Sequence, residues 1–96
     1  MDKEKVNKIA RHYGFQNQCQ QTIEEMAELT QAICKYFRAS CPGESFNALS
    51  SIAEELGDVE IMVAQLKLLV GERHVDKGIE KKLDRQLMRI EMEDKS

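Results

Sequence analysis

The runs Ile23-Glu24-Glu25-Met26-Ala27-Glu28 and Ala53-Glu54-Glu55-Leu56-Gly57-Asp58 decide how this chain is organised. Each run places carboxylates three residues apart, and on a helix such residues share a face. Two pairs on two helices are enough to line a pocket with four carboxylates. The rest of the sequence is therefore predicted to be the scaffold that brings these two faces together.

The composition predicts an all-α protein with a single domain spanning residues 1–96. The chain has 96 residues, of which 42% are hydrophobic and 32% charged, with one Pro and no Trp. Abundant Glu, Lys, Leu, Ala and Gln favour helices over strands. Because so short a chain buries only part of its surface when it folds alone, oligomerisation is an expected source of stability.

Charge and hydropathy exclude several classes of function. A net charge of −3 argues against binding to a nucleic-acid polymer, which requires a basic surface. The longest wholly apolar stretches, such as residues 61–64, are too short to span a membrane. The three cysteines, Cys19, Cys34 and Cys41, have no metal-site or disulfide spacing. We therefore expect reduced thiols and a cytoplasmic location.

Turn-forming residues divide the chain into four predicted helices. Gly14 ends the first of them, and a Pro-Gly pair at 42–43 marks the clearest break. The predicted ranges are 3–13, about 16–38, a third helix that starts between 45 and 51 and ends at 70, and about 76–92 with Asp76 as the N-cap. A capping box formed by Ser51 and Glu54 is one possible start of the third helix.

Helical periodicity predicts that the carboxylates lie at different distances from the apolar faces of their helices. At 100° per residue, Glu55 falls within the apolar face of the third helix and Asp58 lies at its margin. Glu25 lies at the edge of the apolar arc of the second helix, and Glu24 and Glu28 lie nearer its polar side. Acidic pairs are common on solvated helix faces, but a carboxylate on an apolar face is unfavourable unless it is paired or binds a metal. We therefore expect a cation between the two helices.

The residue types predict which cation this is. Ligands that are all oxygens suit Mg²⁺, with Mn²⁺ as a possible substitute. The two histidines, His12 and His74, lie outside both acidic runs, which argues against di-iron and zinc sites.

The pattern Glu24-Glu25-x-x-Glu28 followed by Glu55-x-x-Asp58 resembles the signature of the all-α nucleoside triphosphate pyrophosphohydrolases, and the surrounding residues look like MazG-like proteins. The resemblance covers about residues 16–70. It implies a bundle of four to five helices, completed by oligomerisation into a homodimer or homotetramer. Carried over by position, it implies that Glu25, Glu28, Glu55 and Asp58 bind the metal, and that Glu24 holds or deprotonates the attacking water.

The implied reaction is hydrolysis of a nucleoside triphosphate between its α- and β-phosphates, which gives a nucleoside monophosphate and pyrophosphate. One residue departs from the family pattern, since Gln65 stands where many MazG-like proteins have an Asn that contacts the nucleotide. The other candidate substrate-binding residues are Lys35, Lys81 and Arg85 for phosphates, and Gln18 and Gln21 for the base. The alternative is a helical nucleotide-binding or regulatory module without turnover.

Overall fold

The computed structural model describes residues 1–95, and within this range the secondary structure is entirely α-helical. The predicted all-α class is therefore confirmed. The four helices are α1 (Lys3–Tyr13), α2 (Phe15–Arg38), α3 (Pro42–Val70) and α4 (Glu72–Lys95). No helix within residues 1–95 combines the length and the apolar character needed to cross a membrane.

The first two helices have the boundaries that the sequence predicts, to within one residue. Asp2 caps α1, because its Oδ1 accepts hydrogen bonds from the backbone N–H groups of Glu4 and Lys5 at 2.9 and 3.3 Å. Gly14 separates α1 from α2 at a φ of +83°, a conformation that a side chain would strain.

The predicted start of α3 was wrong by at least three residues. The helix begins at Pro42, whose fixed φ suits the first turn and whose missing N–H is not needed there. Glu44 supplies the polar contact at this end, since its Oε2 accepts hydrogen bonds from the backbone N–H and the hydroxyl of Ser40. Ser51 and Glu54 lie inside the helix and form no capping box.

The fourth helix begins at Glu72, so the prediction of Asp76 as its N-cap was also wrong. A single residue, Gly71 at a φ of +120°, separates α3 from α4. Asp76 instead lies within α4 and pairs with Lys67 at the end of α3, with 2.7 Å between Oδ1 and Nζ. The hydrogen bond that Lys67 donates to this carboxylate raises the pKa of the lysine.

The main tertiary contact is a hairpin of α2 and α3, and the residues that face each other within it form what we call the seam. Along both helices, buried and half-buried positions of the seam recur at spacings of three and four residues, the pattern of coiled-coil packing. The seam comprises Gln18, Thr22, Glu25, Leu29 and Ala32 on α2, and Ala48, Ile52, Glu55, Val59, Met62 and Gln65 on α3. Val6 and Ala10 of α1 are also buried, and α1 packs against both α2 and α3.

The fourth helix packs mainly against α3, and it contacts α1 through an exposed ion pair of 3.8 Å between Glu72 and Lys3. It has no buried residue, and every residue from Ile79 to Lys95 is exposed. The Cα radius of gyration is 17.1 Å, whereas a compact domain of about this length has roughly 13 Å. The chain is thus more open than a closed four-helix bundle.

Candidate functional site

Three carboxylates from the two acidic runs meet at the middle of the seam. One carboxylate oxygen from each of Glu25, Glu28 and Glu55 lies within 4.8 Å of the others. Glu25 and Glu55 are half-buried because both occupy seam positions, on α2 and α3 respectively, whereas Glu28 is exposed one turn after Glu24. The hairpin therefore brings together three of the four predicted metal ligands.

Two oxygens of this acidic cluster have no partner within the protein. The Oε2 atoms of Glu25 and Glu55 are inaccessible to solvent and accept no hydrogen bond. Glu25 is oriented by its other oxygen, Oε1, which accepts a hydrogen bond of 3.0 Å from Nε2 of Gln21. Buried carboxylate oxygens are normally paired, so this arrangement leaves room for a bound cation or a proton.

The electrostatic environment of Glu55 is entirely acidic. Burial is the main cause that raises its pKa above the ordinary value of 4.5, followed by the charges of Glu28, Asp58 and Glu25. Burial and like charges act in the same direction, since both disfavour the ionised carboxylate. A divalent cation would reverse this effect by adding opposite charge at the same place.

Asp58, the fourth predicted ligand, lies beside the cluster rather than within it. It is exposed, and its charge contributes to the raised pKa of Glu55 one turn earlier in α3. Glu24, the predicted catalytic residue, is exposed as the sequence predicts.

A cavity of about 600 Å³ adjoins the acidic cluster on the side of α1. Glu24 forms part of its wall, and so do the predicted substrate-binding residues Gln18, Gln21 and Gln65. Gln18 and Gln65 are buried seam residues, with 2% and 3% of their surface exposed. We call this space the glutamine cavity. The hairpin thus gathers three of the six predicted substrate-binding side chains in one place.

Helix α1 contributes residues to the glutamine cavity that are not among the predicted binding residues. Ile9 and Tyr13, one helical turn apart, line it together with Asn17 at the start of α2. The signals in the sequence are the aromatic ring of Tyr13, which suits packing as well as base stacking, and the spacing of four residues between Ile9 and Tyr13, which puts both on one helix face. That spacing does not indicate which helix the face meets.

The three predicted phosphate-binding cations lie elsewhere. Lys35 lines a separate cavity of about 380 Å³ at the turn between α2 and α3, beside Arg38 and Glu44. Lys81 and Arg85 are on the exposed part of α4 and belong neither to the acidic cluster nor to the wall of the glutamine cavity. Neither of them forms an ion pair with the clustered carboxylates.

The chain matches no family model, no curated protein and no solved structure. The resemblance to the all-α nucleoside triphosphate pyrophosphohydrolases therefore rests on the two acidic motifs and on the helices that carry them.

Proposed function

We propose that this protein is a Mg²⁺-dependent nucleoside triphosphate pyrophosphohydrolase of the MazG-like type, with nucleotide-pool housecleaning as its role. One observation carries the proposal: two facing helices each place a carboxylate on the seam, and one oxygen of each is buried without a partner. A seam that served only packing would be more stable with Leu at these positions. The two motifs to which these carboxylates belong have the spacing of that superfamily.

The residues at the cluster fit a hard divalent cation. All the available donors are carboxylate oxygens, which suit Mg²⁺ or Mn²⁺ and are poor ligands for soft metals. The orphaned oxygens of Glu25 and Glu55 are groups that such a cation would satisfy. Glu25, Glu28, Glu55 and Asp58 would hold it, and it would neutralise the triphosphate and make a bound water more acidic.

Side chains of the protein accept the proton of the attacking water and orient a metal ligand. The carboxylate of Glu24 accepts a proton from the water that attacks the α-phosphorus, since Glu24 lies on the cavity wall next to Glu25. The bond between the α-phosphorus and the bridging oxygen to the β-phosphorus breaks, and pyrophosphate leaves with that oxygen. Gln21 fixes the orientation of Glu25 through its 3.0 Å hydrogen bond.

We also infer that the working unit is a homodimer or homotetramer. Large apolar side chains on the outer faces of the hairpin are exposed in the protomer, among them Phe37 at 78% and Phe46 at 71%. Others on α3 are Leu49, Leu56, Ile61, Val63 and Val70. A monomer rarely exposes so large an apolar surface, which favours burial against a second copy.

A regulatory module that binds nucleotides without turnover is the second candidate. It is favoured by Lys81 and Arg85, which are exposed and form no ion pair with the acidic cluster. Without these cations, one subunit has fewer groups to stabilise the charge that develops on the phosphates during hydrolysis.

The decisive experiment is a panel of NTPs and dNTPs with Mg²⁺ or Mn²⁺ and detection of pyrophosphate. We expect release of pyrophosphate by the wild type and its loss in Glu55→Gln and Asp58→Asn, with helicity by circular dichroism unchanged. Glu54→Gln is the matched control, because Glu54 is an exposed neighbour outside the cluster. Absence of pyrophosphate across the panel would refute the enzyme, and binding without turnover would support the regulatory module.

A further inference from the structure

We propose that the glutamine cavity is a nucleobase pocket, and that the buried carboxamides of Gln18 and Gln65 select the base by hydrogen bonds to its polar edge. The inference deepens the proposed function, on which it rests for the identity of the ligand as a nucleotide. It adds the means by which this chain distinguishes one base from another.

The first argument comes from the unpartnered carbonyl oxygen of Gln18. Gln18 is 2% exposed, and its Oε1 is inaccessible to solvent and has no donor within the protein. A buried amide acceptor without a partner destabilises the fold, and a Leu or Met would fill the same seam position without that penalty. The oxygen is satisfied if a ligand in the cavity brings an N–H group to this carboxamide.

The second argument comes from the chemistry of the cavity wall. Gln65, on the facing helix, is 3% exposed and offers a second carboxamide, so donors and acceptors are available from both sides of the seam. Ile9, Tyr13 and Met62 add apolar and aromatic surface. A planar heterocycle with N–H and carbonyl or ring-nitrogen groups along one edge matches both kinds of surface, and carboxamides pair well with such edges.

The third argument comes from size and position. A volume of about 600 Å³ lies within the usual range for small-molecule sites. Gln21 lines the cavity and donates a hydrogen bond to Glu25, so the cavity and the acidic cluster are adjacent. A nucleotide with its base in the cavity can therefore extend its phosphates towards Glu24 and the carboxylates.

The test uses the full-length protein with nucleosides, in the absence of divalent metal and of any phosphate. Uridine, adenosine and cytidine are each compared with a methylated partner that has no N–H on its base: 3-methyluridine, N6,N6-dimethyladenosine and N4,N4-dimethylcytidine. Affinities come from calorimetry or from amide chemical shifts. We expect at least one parent nucleoside to bind about tenfold more tightly than its methylated partner, the effect of one lost hydrogen bond to a buried group.

Substitution of Gln18 and Gln65 then tests whether their carboxamides cause the preference for the parent nucleoside over its methylated partner. Gln18→Met keeps the length of the side chain and removes its polar atoms, so the preference for the parent nucleoside should fall to about one. Gln16→Met is the matched control, since Gln16 is exposed and does not line the cavity. Gln65→Met gives an independent test from the facing helix if Gln18→Met fails to fold by circular dichroism.

The pocket is refuted if no nucleoside binds at millimolar concentration, if parent and methylated nucleosides bind equally, or if both Gln→Met variants keep the preference. These outcomes differ from a failure of the proposed function. Selective nucleoside binding without pyrophosphate release from any triphosphate leaves the pocket standing and removes the hydrolase. Pyrophosphate release at equal rates from all bases, unchanged in Gln18→Met, leaves the hydrolase standing and removes the pocket.

Discussion

Replacing Glu55 by Gln should raise the thermal stability of the metal-free protein and remove most of its response to Mg²⁺. Glu55 is a seam residue whose only influential neighbours are acidic, and its Oε2 is buried without a partner. The neutral amide removes the repulsion from Glu28, Asp58 and Glu25. It also removes one of the three clustered carboxylates, so a cation loses a charged ligand.

The expected size of the metal response follows from linkage. A cation at a hundred times its Kd stabilises the folded state by about 2.7 kcal/mol, and a domain of this length gains roughly 4–8 °C in Tm per kcal/mol. The wild type should therefore gain about 10–20 °C. If loss of Glu55 weakens binding about a hundredfold, the same Mg²⁺ concentration contributes only ~0.4 kcal/mol, or about 2–3 °C.

Differential scanning fluorimetry at fixed protein concentration, with NaCl matched for ionic strength, measures both quantities. Glu54→Gln is the control, because Glu54 is exposed and precedes Glu55 directly. Its Tm should stay close to that of the wild type with and without metal. The reasoning fails if Mg²⁺ and Mn²⁺ leave the wild-type Tm unchanged, if Glu55→Gln keeps the full response, or if Glu55→Gln lowers the metal-free Tm.

Three further predictions concern pH, assembly and helix ends. In the metal-free protein, the raised pKa of Glu55 means that the folded state keeps the proton of this carboxyl at a higher pH than the unfolded chain does. The free energy of unfolding in urea should therefore rise as the pH falls from above that pKa towards 4.5. Glu55→Gln should remove this pH-dependent component. In sedimentation velocity at micromolar concentration, the wild type should be a dimer or tetramer. Leu49→Glu should dissociate it, whereas the exposed control Ser50→Glu should not. A folded wild-type monomer would contradict the proposed assembly. In chemical denaturation, Gly71→Ala should lower the free energy of unfolding by about 1 kcal/mol or more, because Gly71 has a φ of +120°. Gly78→Ala should raise it by up to about 1 kcal/mol, because Gly78 lies inside α4 and an added Cβ meets no atom within 4 Å; equal effects would refute the conformational argument.

The sequence predicted the helices well where local chemistry determines them. Asp2 and Gly14 delimit α1 by capping and by a positive φ, and both effects depend on a few adjacent residues. The starts of α3 and α4 were predicted too late. Pro42 was read as a break between helices, although Pro is also favoured in the first turn of a helix. Asp76 has the residue type of an N-cap but makes a tertiary ion pair.

Which apolar face of each helix enters the hairpin could not be predicted from periodicity. The second helix is apolar over more than half of its circumference, and Ile23, Met26 and Phe37 would suit a core. In the protomer these three are exposed, while Gln18 and Thr22 are buried. Periodicity groups residues into faces, but when two faces are apolar it does not indicate which of them meets the neighbouring helix. The carboxylates on the seam were predicted because an ionisable group on an apolar face stands out, whereas the burial of Gln18 and Gln65 was not predicted because a neutral Gln is common on exposed faces.

The seam is unusually polar for the interior of a helical protein, and this polarity bears on the proposed assembly. Between Gln18 and Glu25 on α2, and from Glu55 to Gln65 on α3, the seam includes two carboxylates, two carboxamides and one hydroxyl. These groups contribute little hydrophobic stabilisation, and the buried apolar residues of the protomer are few: Val6, Ala10, Ala32, Ala48 and Met62. The large apolar side chains lie mostly on the outer faces of the hairpin and on α4. An interior this polar leaves most of the hydrophobic stabilisation to the outer faces, and in the proposed assembly a second copy of the chain would bury them.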